Sequence, residues 1–267
     1  MSSVVLITGA SSGIGKAIAE YLVTQNYTVY GTSRNPKQSV VNGVNFLALD
    51  VTKTETITAA IAQILQQENR IDYLINNAGK GISGPMEEIP ESELKSAFDT
   101  NYFGPIAMIK AVLPTMRAQG SGMIINVTSI AGYMGLPYRG AYSATKGALG
   151  LTTETFRMEI KEFGIKMTNV APGDFATNIA SGRYHVPLKD DSPYNKNYGK
   201  SLELMNEHVD EGENPELMAK AVHAIMQEKN LKVHYKVGAA MQKFSVILKG
   251  ILPDRMYERM LLKHFKI

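Results

Sequence analysis

Short apolar runs alternate with helix-patterned stretches along this chain, and that alternation constrains its fold more than any other feature. Ser3–Thr8, Thr28–Thr32, Val44–Leu49, Ile71–Asn76, Met123–Thr128 and Ile165–Ala171 read as strands, rich in β-branched residues and ended by turn formers. Between them apolar residues recur at helical spacing, as in Ile14, Ala17, Ile18, Tyr21 and Leu22 after Gly13. Thr52 is placed to cap a helix over 54–68, with Glu55 three residues on as its capping-box partner. Helical patterns also fill 91–118, where Pro105 and Pro114 are expected to bend or interrupt the helix, and 141–163. Asn214-Pro215 opens a further helix with Asn as its cap, and Leu231–Val237 reads as a seventh strand. The alternation predicts an α/β, doubly wound parallel sheet of seven strands with helices on both faces. No repeat or linker breaks it before residue 238, so 1–267 is read as a single domain. Residues 174–213 show no periodic element, and a run of that length within a compact unit points to a functional loop.

Composition removes several classes of function. At 44% hydrophobic, the 267 residues carry ample side chain for a core, which excludes a disordered chain. The chain has no cysteine, which excludes disulfides, thiolate metal sites and cysteine nucleophiles. No metal site is expected. No apolar run approaches the roughly 18 residues of a spanning helix. The opening MSSVVLITGASSG lacks the basic start of a secretory leader, so a cytoplasmic protein is expected. Residues 229–267 hold nine Lys/Arg against Asp254 and Glu258, a local charge of +7, while the remainder carries 19 basic and 23 acidic residues, or −4. A basic tail on a mildly acidic body is too little positive surface for nucleic acid.

The turn after the first strand, Thr8-Gly9-Ala10-Ser11-Ser12-Gly13-Ile14-Gly15, has the chemistry of a phosphate cradle. Glycines let the chain turn sharply and let backbone approach a pyrophosphate, and the following helix offers free N–H groups and the positive end of its dipole. Two other readings fit the same residues. Gly9-Ala10-Ser11-Ser12-Gly13 also matches the GxSxG nucleophile elbow of hydrolases, with Ser11 as nucleophile, although this is the first strand and no histidine has a triad context. A tight turn with no ligand is the third.

Tyr142 and Lys146 stand four apart at the start of a long helix and share a face; no other Tyr-x3-Lys pair occurs in the chain. Ser129 lies at the carboxyl end of the fifth strand, on the rim where parallel sheets bind ligands, with the glycine turn and Asn77-Ala78-Gly79. Together with Asp50, Asn76, Asn101, Pro172-Gly173 and Thr177, these motifs resemble the short-chain dehydrogenase/reductase family, in order and at family-like spacing over residues 3–237. Within it, Gly122 to Thr177 is most similar to the hydroxysteroid, retinoid and carbonyl reductase branch. The resemblance implies a Rossmann-type fold, a dimer or tetramer through the helices at 91–118 and 141–163, and a nicotinamide cofactor. It implies cofactor contacts at Gly9, Ser11, Ser12, Gly13, Ile14 and Gly15, at Asp50 and Val51 by the adenine, and at Asn77, Ala78 and Gly79 along the ribose. Pro172, Gly173, Phe175 and Thr177 would fall near the nicotinamide carboxamide. Lys146 would hold the nicotinamide ribose, and Asn101 would belong to a water-linked proton relay behind it.

The residues also support that chemistry directly. Ketone reduction needs a hydride at carbon and a proton at oxygen. A free tyrosine, with pKa near 10, is a poor acid–base group at neutral pH, and a nearby ammonium favours its phenolate. Tyr142 beside Lys146 is therefore the candidate proton donor, with Ser129 bonding the substrate oxygen. At the end of the second strand Ser33 stands where NAD-using relatives often carry Asp, and Arg34 can pair with a 2′-phosphate, which favours NADP over NAD.

Tyr184, His185, Tyr194 and Tyr198, with Met134, Leu136, Tyr138 and Phe175, suggest an apolar pocket and a lipophilic ketone or secondary alcohol. In the tail, Met241, Phe244, Ile247, Leu248, Ile251 and Leu252 form one apolar stripe; Met256, Tyr257, Met260, Leu261 and His264 form another after Pro253. Two readings stay open for 238–267: helices packed on the body or a partner subunit, and a basic amphipathic element at a membrane surface. The leading function is an NADP-dependent oxidoreductase. A 3-oxoacyl thioester reductase and a catalytically idle NADP-sensing protein are the alternatives.

Overall fold

The structure, a computed structural model, describes residues 2–177, 182–210 and 212–267, with backbone alone for 208–210. The expected sheet is present. Strands β1 (Val4–Ile7), β2 (Thr28–Ser33), β3 (Val40–Val41), β4 (Val44–Ala48), β5 (Tyr73–Asn76), β7 (Gly122–Val127), β8 (Ile165–Pro172) and β10 (His234–Val237) pair in the order β10-β8-β7-β5-β1-β2-β4-β3. All neighbours run parallel except β3, which is antiparallel to β4. β6 (Ile82–Ser83) and β9 (Tyr184–His185) form a separate parallel pair.

The chain starts at the middle of the sheet and winds outward in both directions. Helices α1 (Gly13–Thr24) and α7 (Pro215–Met226) cover one face; α2 (Thr54–Glu68), α4 (Gly104–Gln119) and α5 (Gly140–Glu159) cover the other. Ile7, Ile18, Leu22 and Ile75 lie in the first of these cores, and Leu6, Ile64, Leu74, Met108 and Ile124 in the second, all fully buried. The strand order reverses between β1 and β5, so the crevice beyond their carboxyl ends is where such a sheet receives a ligand.

Several local expectations are corrected. The helix over 54–68 forms, but Lys53 occupies its cap position, and Thr52 turns away to give its hydroxyl to Asp50 Oδ1 at 2.8 Å. The helix at 91–118 is interrupted before Pro105, by a π-helical turn at Asp99–Phe103 that separates α3 (Glu91–Phe98) from α4. Pro105 fits the first turn of α4, where its missing N–H costs nothing, and Pro114 sits inside the helix without ending it. The pattern over 141–163 divides into α5 and a 3-10 turn at Lys161–Phe163. Residues 174–213 are not a bare loop: they hold β9 and α6 (Asn195–Asp210). β3 was also unexpected, although Asn42-Gly43, both with positive φ, is a hairpin turn. Asn214 caps α7 as expected, accepting from Glu216 N–H at 2.9 Å.

The tail folds as α8 (Ala240–Ile251) and α9 (Asp254–His264). Its apolar stripe divides. Val246, Leu248, Leu252, Met260 and the buried Tyr257 pack on Ile130, Met134 and Ala171, while Met241, Phe244, Ile247 and Ile251 stay exposed.

A buried amide chain ties the sheet to α5. Asn76 Nδ2 donates to Asn126 Oδ1 at 2.8 Å, and Asn126 Nδ2 donates to the Thr153 hydroxyl at 2.8 Å. Thr153→Val keeps the shape and removes that oxygen, leaving a buried donor without it. It is expected to cost about 1–3 kcal/mol in urea unfolding of the full chain; an unchanged midpoint would show that the tie carries no stability.

Candidate active site

The rim of the sheet is built by one set of hydrogen bonds. Thr8 Oγ1, at the end of β1, accepts from Asn77 N–H and Ala78 N–H at 3.0 Å each. Asn77 Nδ2 returns to Thr8 O and Gly9 O at 3.1 Å. The glycine turn is thereby held against 77–79. Gly9, at φ +67°, would place a Cβ 2.9 Å from Ala78 Cα, and a Cβ on Gly15 would lie 2.3 Å from Asn77 Nδ2. Ser12 caps α1 with extended backbone and no side-chain hydrogen bond, so the first N–H groups of the helix face the turn. Ser11, Ser12, Gly13 and Thr177 line a cleft of about 630 Å³, and a Cβ on Gly13 would touch Thr177 at 3.3 Å. Ile14 packs inward against the core.

At the far end of the crevice, Ser33 closes β2 and Arg34 follows it, exposed. Burial alone would raise the Asp50 carboxyl, but hydrogen bonds from Thr52, with Arg34 and Lys53 nearby, hold it below its ordinary value. Val51 is buried against Gly104 at the start of α4. Pro172 ends β8, and Gly173 N–H bonds Val237 O at 2.8 Å. Phe175 corrects the expectation of an apolar pocket: its side chain is buried in the core with residues of α7 and does not line an open pocket. Met134 is likewise taken up, buried against Tyr257, and does not line an open pocket.

Tyr142 and Lys146 rise from α5, one turn apart. Lys146 is buried, its Nζ donating to Val127 O at 2.9 Å and standing 6.0 Å from the centre of the Tyr142 ring. Burial pushes the Lys146 ammonium down to about 8. Ser129 begins a 3-10 turn at Ile130–Tyr133, its Oγ accepting from Ala131 N–H at 3.2 Å, and it hydrogen-bonds Tyr142. The Tyr142 hydroxyl lies above its ordinary value because burial dominates; Arg139, Ser129 and Arg183 pull it down, and Asp174 pushes it up. Two arginines therefore help to hold the tyrosine where the sequence points only to Lys146. The π-helical turn brings Asn101 beneath this group, fully buried. Its Oδ1 accepts from Lys80 N–H at 2.7 Å, and its Nδ2 donates to Lys80 O at 2.9 Å and the Thr145 hydroxyl at 3.1 Å. Gly79 lies between Asn101 Oδ1 and Lys146 Nζ, 3.3 and 3.6 Å from where its Cβ would stand.

Three residues at this site were not legible. Arg139 precedes Tyr142 by three residues, at the cap position just before α5, and its guanidinium reaches back over the Tyr142 ring. Arg183 and Gln242 had no local signal. Gln242, from α8, accepts from Asp174 N–H at 3.1 Å and donates to Asp174 Oδ2 at 2.6 Å.

Comparison with known proteins gives one consistent answer. The family model described as short chain dehydrogenase matches residues 3–185. The 3-ketodihydrosphingosine reductase of Bacteroides thetaiotaomicron is 40% identical over 256 residues, covering 96% of this chain and 95% of that protein. A short-chain dehydrogenase from Streptomyces avermitilis superposes with a TM-score of 0.83 at 32% identity, covering 100% of this chain and 96% of that one. ElxO, solved with NADP bound, gives a TM-score of 0.73 at 28% identity over 89% of this chain and 97% of its own.

Burying Lys146 costs stability. An unfolded chain binds the lysine proton up to about pH 10.5, whereas the folded protein releases it near 8, so wild-type stability rises between those values and is lowest below them. Lys146→Met is expected to stabilise the nucleotide-free protein by about 1–3 kcal/mol at pH 7, with the advantage shrinking as the pH climbs past 8 toward 10.5. Urea titrations at stepped pH check this, and an advantage independent of pH would contradict it.

Proposed function

The chain belongs to the short-chain dehydrogenase/reductase family, and from that premise we propose that it is an NADP-dependent oxidoreductase acting on a lipophilic carbonyl/secondary alcohol pair. The observation that carries the reading is the convergence of Ser129, Tyr142 and Lys146 on the rim beside the glycine turn. The cradle fits a dinucleotide: Gly9 and Gly13 adopt positive φ, Gly15 leaves no room for a side chain, and Ser12 leaves helix N–H groups uncapped. Gly9 to Gly15, with Thr177, would hold the pyrophosphate; Asn77 to Gly79 and Lys146 the nicotinamide ribose; Asp50 and Val51 the adenine. Arg34, beside Ser33 where an acid would suit a free ribose hydroxyl, supports NADP. The bound nicotinamide supplies the hydride that enters the carbonyl carbon.

The remaining work falls to the chain's own side chains. Ser129 Oγ donates to the substrate oxygen as negative charge develops there. Tyr142 Oη gives up its proton to the same oxygen and is left as phenolate. Arg139 and Arg183 stabilise that anion against the burial that makes the phenol a weak acid, and the Lys146 ammonium, 6.0 Å from the ring centre, adds positive charge on the same side. Asn101 positions Lys80 and Thr145 around Lys146, where a water between Gly79 and Lys146 would return the proton. In the reverse direction the same groups take a proton from the alcohol.

The 40%-identical relative makes a 3-keto long-chain base the specific substrate to try first. The exposed face of α8 suits such a substrate. Met241, Phe244, Ile247 and Ile251 stand outward on a segment whose local charge is +7. A second copy would bring like charge against like charge, whereas an anionic lipid surface is complementary. Self-association would instead use the exposed Phe103, Leu151 and Met158 of the 91–118 and 141–163 helices.

Two measurements test this function. Tyr142→Phe is expected to keep NADPH binding within about twofold and to lose at least about 10²-fold of ketone turnover; tight NADPH binding by wild type with no ketone reduced would leave the sensor reading. Phe244→Glu with Ile247→Glu is expected to abolish co-sedimentation with vesicles containing phosphatidylserine while leaving turnover of a water-soluble ketone unchanged. Equal sedimentation of variant and wild type would remove the membrane contact.

A further inference from the structure

The guanidinium of Arg183 is held at the active site with a donor left over. Arg183 lies just before β9, and its stem rests on Gly81, where a Cβ would stand 3.0 Å from Arg183 Cγ. Tyr184 N–H bonds Gly81 O at 3.0 Å, and the pairing of β6 with β9 fixes this segment beside the 77–80 loop. Arg139 approaches the same place from the start of α5, its guanidinium 5.5 Å from the centre of the Tyr142 ring. Burial and Arg139 make the positive charge on Arg183 less favourable, while Tyr142, Asp174 and Tyr198 favour it, so these five groups share one electrostatic neighbourhood.

Arg183 Nη1 is buried and has no hydrogen-bond partner among the described residues. Such a donor is expensive to leave unmade, and folded proteins almost always supply its acceptor. The carboxylate in this neighbourhood is Asp174, whose Oδ2 accepts Gln242 Nε2. Burial here thus leaves a strong donor next to the phenol that hands over the proton. Guanidinium is donor-only and takes planar or paired oxygens best. An unadorned hydrocarbon ketone offers it nothing.

We propose that Arg183 is a specificity-determining residue that accepts an oxygen function, a hydroxyl, carbonyl or carboxylate, carried by the substrate a few bonds from its reacting carbonyl. The inference rests on the reductase reading above and deepens it: the substrate is a ketone with a second oxygen nearby, not a simple long-chain ketone. The bond to Arg183 orients the chain so that the reacting carbonyl meets Ser129 and Tyr142, and its loss is read in KM.

Three ketones of one chain length separate the possibilities: methyl 3-oxododecanoate, 3-oxododecanoate and 3-dodecanone, with NADPH saturating. Arg183→Gln is expected to raise KM for the two oxygen-bearing ketones by about 10–100-fold and to leave KM for 3-dodecanone within about twofold of wild type, while the lost charge beside Tyr142 lowers kcat on all three ketones alike. A larger effect on the carboxylate than on the ester assigns the oxygen as anionic; equal effects assign a neutral acceptor. The same rise in KM on all three ketones, or none on any, overturns the proposal. Calorimetric titration of the same ketones into NADP-loaded Tyr142→Phe, with and without Arg183→Gln, reads the preference without turnover. A failure of the reductase reading would appear in the wild-type assay, and a failure at Arg183 in the titration.

Discussion

The crevice depends on one short set of hydrogen bonds, those joining Thr8 at the end of β1 to Asn77 and Ala78 at the end of β5. They cross the point where the strand order reverses, and they press the glycine turn so closely onto 77–79 that Gly9 and Gly15 have no room for a side chain. Without them the two halves of the sheet would still pack through their cores, but the phosphate cradle and the loop that leads to Lys80 would no longer be fixed to each other. Asn101 carries the same constraint onward, binding both backbone groups of Lys80 and the hydroxyl of Thr145, one residue from Lys146. Cradle, loop and helix α5 thus form one continuous polar frame laid over an apolar sheet.

That frame explains why stability and chemistry pull apart here. Lys146 lies in a place that favours its neutral form, and Tyr142 in one that favours its own. Each is poorly suited to ionise alone. Arg139 and Arg183 pull the Tyr142 hydroxyl down without outweighing its burial, and a bound oxidised nicotinamide would add positive charge to that pull. A site that holds charges reluctantly when empty wastes little chemistry on water.

Most of the architecture was legible because strand runs and helical spacing survive in this sequence almost unmixed, and the resemblance carried by the glycine turn, Ser129, Tyr142 and Lys146 led to the family the comparisons show. The misses have physical causes. Thr52 fits a capping box, but Asp50 competes for its hydroxyl at shorter range. α6 is polar enough to hide, its inward stripe marked by Tyr198, Leu202 and Met205. Phe175 reads as an apolar pocket residue, yet its ring is drawn into the core. Arg183 and Gln242 reach the site from segments far apart in sequence, and no spacing rule connects them to Tyr142.

The two-residue strand β3 has a role beyond closing a hairpin. A sheet this rich in Val and Ile presents at each border a row of unpaired amides on which another molecule could continue the sheet. Here one border ends in Val40–Val41, too short to template an added strand and folded back onto β4 by the turn at Asn42-Gly43. The opposite border, β10, runs through Gly238 into α8. Both borders are therefore short, two residues at β3 and four at β10, so neither offers the long flat edge on which fibre-like stacking depends.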